Sequence, residues 1–200
     1  SSAASDVYKR QAVAPSAKAG ARDTIADALN NLDWGNTVRC VRVNDVGTEW
    51  CYEDIISVVE KAGKNLDTIM LPKPMNASDV QFADKLLNQL EMKLGLERKI
   101  GLEVLIEEVE AMQNVVEIAN SCERLECMIF GMGDYAASQG LVVKNIGRTD
   151  GYPGDIFHYP RDHMTIAARA AGIDAVDGPF ADFKNDEAYR VECQRALTLG

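Results

Sequence analysis

Two acidic residues stand where their position could do chemistry. In "LECMIFGMGDYAAS" (125–138) the run Cys127-Met128-Ile129-Phe130 reads as a buried strand, which Gly131 and Gly133 then break. Asp134 follows, at the point where the chain leaves the sheet. A carboxylate there can cap the next helix, pair with a buried cation or bind a metal. Taken alone, it reads more readily as a cap than as a ligand. Glu107 closes the preceding apolar run, "GLEVLIEE", about one βα repeat earlier. Two carboxylates on successive strand ends repel each other unless a cation lies between them. With no His or Cys beside them, an all-oxygen set suits a hard ion, Mg²⁺ or alternatively Mn²⁺.

The elements that would position them follow from hydrophobic period. Apolar residues recur at helical spacing over 17–31, 52–62, 77–94, 108–120, 160–171 and 185–198. Between these lie short apolar or alternating runs at 37–43, 67–73, 101–106, 125–130 and about 173–178, which read as strands. Each strand and helix pair takes roughly 30 residues, the size of a βαβ step. Mostly apolar strands alternating with helices imply a parallel sheet covered by helices. No GxGxxG or P-loop marks a doubly wound sheet. The expected fold is therefore an α/β (β/α)₈ TIM barrel, here an incomplete fragment lacking the first strands and the C-terminal end, since such barrels take about 250 residues. Its chemistry lies at the C-terminal ends of the strands. Those ends carry Arg42 and Asn44 in "VRVN", Lys73 in "LPKP", Glu107, Asp134, and Asp177 in "VDGPF".

Plainer roles exist for each residue. Arg42 can serve a structural ion pair. Lys73 is expected to be structural or solvent-facing. Glu103, Glu108 and Glu110 read as a solvated charged stretch, and His158 and His163 have no metal-ligand partner nearby in sequence. The connection 139–159 is long and helix-poor, so it is expected to line the entrance of the barrel, with Tyr152, Phe157 and Tyr159 packing over the mouth.

The 200 residues are 46% hydrophobic and carry a formal net charge of -10. That suits one globular domain and argues against nucleic-acid binding, which needs a basic face. No apolar run reaches the roughly 18 residues of a spanning helix, so no membrane partner is expected. The five cysteines form no CxxC and read as reduced thiols of a cytoplasmic protein. The opening "SSAASDVYKRQ" has no period of either kind, so residues 1–11 are read as a non-native leader and 12–200 as the partial barrel domain.

Six blocks carry a family resemblance: "AVAPSAKAGAR", "VRVN", "MLPKP", "LEVLIEEVEAMQNVVEIA", "RLECMIFGMGDYAAS" and "AARAAGIDAVDGPFADFKN". In this order they resemble the citrate lyase beta-subunit and malyl-CoA lyase family of the HpcH/HpaI aldolase superfamily. The likeness is greatest to the malyl-CoA and β-methylmalyl-CoA lyases.

The resemblance implies a Mg²⁺-dependent carbon–carbon lyase that splits a 3-hydroxyacyl-CoA into glyoxylate and acetyl- or propionyl-CoA. It places the Mg²⁺ ligands on Glu107 and Asp134 and the substrate-binding arginine on Arg42. The backbone at Gly133 and Asp134 would face the 2-oxo acid, with Asp177 and Pro179 on the CoA side of the mouth. A homo-oligomer, trimer or hexamer, is implied, in which a C-terminal segment lends a catalytic Asp to a neighbouring subunit. Without that segment the chain alone is expected to be inactive. Glu108 stands where the family usually has Thr, putting an extra carboxylate beside the metal site. A citryl-CoA lyase, a malyl-CoA thioesterase and a non-catalytic barrel subunit are the competing readings.

Overall fold

A computed structural model of the chain describes residues 13–141, 154–182 and 184–200. The leader read over 1–11 lies outside them, as does most of the 139–159 connection, including Tyr152. The described elements alternate as the hydrophobic period requires. They are α1 (Lys18–Asn31), β1 (Cys40–Arg42), α2 (Cys51–Ala62), β2 (Thr68–Pro72), α3 (Ala77–Leu94), β3 (Gly101–Ile106), α4 (Val109–Gln113), α5 (Val115–Ala119), β4 (Leu125–Phe130), α6 (Met132–Gln139), α7 (His158–Ala171), β5 (Asp174–Val176) and α8 (Asp186–Leu199).

Local chemistry sets the boundaries. Asn76 caps α3, its side chain accepting from the amides of Ser78 and Asp79, and Gly95 ends the helix in the left-handed conformation (φ 61°). The helix expected over 108–120 is broken into α4 and α5 at Asn114. The Asn114 side chain donates to the Met75 carbonyl at 2.8 Å, a tertiary anchor that competes with an unbroken helix. One helix had no strong sequence signal. α6 begins directly after Gly131, and its two-glycine opening hides the period.

All five strands are parallel and lie side by side in chain order, β1-β2-β3-β4-β5. A doubly wound sheet would reverse direction at a switch point. Steady progression is how a barrel grows, and helices α1 to α7 all supply residues to the one main core.

Side-chain parity separates the two faces. Val41, Ile69, Leu71, Leu102, Val104, Ile106, Met128 and Phe130 belong to the main core, under the helices. Met70, Leu105, Cys127 and Ile129, with Cys40 against them, form a second, smaller cluster. That second set lies on the inner face, which a barrel turns toward its axis.

Candidate active site

Alternation along the strands decides which strand-end residues share the inner face. Arg42 has the parity of Cys40, Glu107 that of Leu105, and Gly131 that of Ile129. The register pairs Arg42 with Met70, Pro72 with Leu105, and Leu105 with Ile129. The three residues therefore emerge on the same side at the C-terminal edge. Gly131 extends the ladder, its amide donating to the Ile106 carbonyl at 3.0 Å. A Cβ at Gly131 would lie 2.4 Å from the Glu107 Cβ, so only glycine lets the two strand ends approach this closely.

Glu107 is only 5% exposed, and its Oε1 is buried with no hydrogen-bond partner. Burial pushes its carboxyl up to about 7. The Arg42 and Lys73 charges hold the rise back, while Asp134 and Glu108 add to it. All four charged neighbours thus act on one carboxylate.

Of the roles open to Asp134, the structure shows pairing with a cation. It lies in the first turn of α6, but no side chain caps that helix, and Asp134 Oδ2 lies 3.1 Å from Lys73 Nζ. Lys73 also reaches Glu108 Oε1 at 2.6 Å. Of the structural or solvent-facing role expected for Lys73, the structure shows the structural one, a place between two carboxylates of the site. Glu108, read as solvated helix face, is turned toward that lysine.

Asn44 is held from outside the site. Its side chain donates to Asp54 Oδ2, its backbone amide donates to the same oxygen at 2.9 Å, and Lys18 Nζ donates to its Oδ1 at 2.7 Å. Asp54 is fully buried and also accepts from Arg22 at 2.8 Å. This clamp from α1 and α2 fixes the end of β1, and with it Arg42. Sequence reasoning missed it. The available signal was Lys18 and Arg22 at i, i+4 on one face of α1, with an acid inside the otherwise apolar α2.

Asp177 joins a different network. Its Oδ1 accepts from Arg161 Nε at 3.1 Å and from the Gly178 amide at 2.8 Å. Arg161 is buried and also bonds Asp155 at 2.8 Å and Glu192 at 3.4 Å. Pro179 is exposed just beyond. Phe157, expected over the mouth, is instead fully buried against Phe130 in the main core, with ring centroids 5.9 Å apart. Tyr159 is exposed and stacks on His163.

The site fits a hard divalent cation. It offers two carboxylates from adjacent strand ends, one of them with a buried oxygen lacking a partner. Among the described residues no three His, Cys, Asp or Glu side chains converge to hold a metal. A hard ion takes six or more oxygens, so two carboxylates alone would not fill its coordination shell.

The sequence pattern of the HpcH/HpaI aldolase/citrate lyase family matches residues 9–200. The chain belongs to that family. A family relative, the L-malyl-CoA/beta-methylmalyl-CoA lyase of Cereibacter sphaeroides, is 40% identical over 198 positions, covering 94% of this chain and 62% of the relative. The chain thus spans less than two thirds of that enzyme's length. A (3S)-malyl-CoA thioesterase from the same species is 31% identical, covering 94% of this chain and 59% of the relative. Among solved structures, the CitE protein of Mycobacterium tuberculosis in complex with magnesium and acetoacetate superposes with a TM-score of 0.71 at 26% identity, over 94% of this chain and 69% of that one. Among the described residues, no helix is long and apolar enough to cross a membrane.

Proposed function

We propose that the protein carrying this chain is a Mg²⁺-dependent carbon–carbon lyase. Its substrate is a 3-hydroxyacyl-CoA such as malyl-CoA or β-methylmalyl-CoA, and its products are glyoxylate and acetyl- or propionyl-CoA. The observation that carries the reading is the buried Glu107 oxygen without a partner, on the inner face beside Arg42 and in the field of Asp134. The names of the relatives point the same way.

Glu107 and Asp134 would hold the ion. When bound, it acts as a Lewis acid toward the 2-oxo group of glyoxylate. Arg42 pairs with the substrate oxygens and stabilises the alkoxide left when a base takes the hydroxyl proton; as the carbon–carbon bond then breaks, that charge passes to the acetyl-CoA enolate. The burial that raises the Glu107 carboxyl also strengthens this charge interaction, because little water competes. Gly133 and Asp134 lie in the first turn of α6, where amides have no intrahelical acceptor and suit a carboxylate. The thioester makes the departing acetyl-CoA enolate accessible, so no Schiff-base lysine is required.

The test uses the full-length protein with malyl-CoA and Mg²⁺. Glyoxylate, trapped as its phenylhydrazone, and acetyl-CoA should form in equal amounts. Both should vanish in Glu107→Gln and Asp134→Asn variants that keep their circular dichroism. Malate with free CoA would instead identify a thioesterase. Near-normal turnover in either variant would overturn the metal assignment.

A further inference from the structure

Lys73 and Glu108 are the two charged groups of the site left without a task in that reaction. We propose that Lys73 is a built-in competitor of the metal ion for Asp134, and that Glu108 is the second carboxylate that takes up Lys73 when the ion binds. The proposal rests on the metal reading of Glu107 and Asp134.

One ammonium serves both carboxylates, at 3.1 Å from Asp134 Oδ2 and 2.6 Å from Glu108 Oε1. An ammonium has three donors, so it can give up one partner and keep the other. Lys73 is the only non-glycine residue with positive φ among the described residues (51°), and the following Pro74 narrows its backbone choices further. Strain of this kind persists only where surrounding structure over-determines it, and it collects at functional sites. Here it lies at the end of β2, and the side chain reaches elements that follow β3 and β4.

Glu108 is itself held in place. It is hydrogen-bonded to Ser138 of α6, and the Ser138 Oγ accepts from the Val109 amide at 3.0 Å. The acceptor for Lys73 is thus fixed by the same helix that carries Asp134. Glu108 is also the position where the chain departs from the Thr usual in the family it resembles. With Thr there, a lysine between strands would have Asp134 alone to pair with.

The two residues must then move metal affinity in opposite directions. Removing the lysine relieves competition and cation–cation repulsion. Removing Glu108 drives the lysine onto Asp134. A purely structural role would weaken binding in both variants.

Mn²⁺ binding to the purified full-length protein is measured by loss of the free-ion EPR signal, with circular dichroism as the folding check. Lys73→Met and, as a second variant, Lys73→Gln should bind Mn²⁺ about tenfold more tightly than wild type, and Glu108→Gln about tenfold more weakly. In Lys73→Met/Glu108→Gln the loss should nearly disappear, because Glu108 acts through the lysine. Unchanged or weakened binding in both lysine variants would overturn the proposal. So would an equal Glu108→Gln loss in both backgrounds, which would mean that Glu108 acts by its own charge. Asp134→Asn separates the two readings: if it binds Mn²⁺ like wild type, the metal assignment itself fails. No Mn²⁺ binding by wild type would remove both.

Discussion

Replacing Glu107 by Gln should stabilise the metal-free protein in alkali and change it little in acid. Burial raises the carboxyl from 4.5 to about 7 in the folded chain, whereas in the unfolded chain it titrates near its ordinary value. Between those two pH values the folded state keeps a proton that the unfolded state has lost. Stability therefore falls as pH rises through the window, and the full cost remains above it. A gap of two and a half pH steps, each worth 1.36 kcal/mol, amounts to about 3 kcal/mol. Gln has the shape of the neutral acid and carries no charge at any pH, so it escapes this cost. The attraction of Arg42 is already included, being one of the causes that limit the rise. Urea unfolding without divalent ions should show a gain of about 3 kcal/mol at pH 8 and under about 1 kcal/mol at pH 5. Mg²⁺ at pH 8 should then raise the wild type toward the variant and leave the variant unmoved. A variant equal to or weaker than wild type at pH 8 would refute the argument, because desolvation would not then dominate at Glu107.

Two other substitutions test how the site is supported. Gly131→Ala puts a methyl group into the Glu107 Cβ and must part the ends of β3 and β4. It should cost about 1–3 kcal/mol in urea unfolding and weaken Mn²⁺ binding at the same time. Arg161→Met removes the buried cation that pairs with Asp177, while Asp155 keeps Arg195 at 3.0 Å; it should cost about 3 kcal/mol, while the affinity of the folded protein for Mn²⁺ stays at the wild-type value. A parallel loss of metal affinity there would tie Asp177 to the mouth instead.

Much was legible in the sequence, because period is a local property. Alternation and helical spacing identified five strands and most of their helices, and strand-end positions offered six candidates, Arg42, Asn44, Lys73, Glu107, Asp134 and Asp177. Among these the family blocks pointed to Arg42, Glu107 and Asp134 for the metal and the 2-oxo acid. What only the tertiary structure decided were the partners, since these come from distant parts of the chain. The Asn114 break depends on a carbonyl at Met75, 39 residues away, which no propensity within 108–120 can register. Asp177 looks available at a strand end until α7 folds back and brings Arg161 to it. Asn44 sits in "VRVN" as a free polar side chain, yet two helices, α1 and α2, converge to bind it. Lys73 reads as an ordinary lysine before a proline. Its left-handed backbone and the sheet register carry its ammonium to Glu108 and Asp134, residues of two later segments. The identity of Glu107 was plain from the chain, but its raised pKa was not. That value arises from burial and from four charges, three of them far away in sequence, and only the packed sheet brings them to one carboxylate.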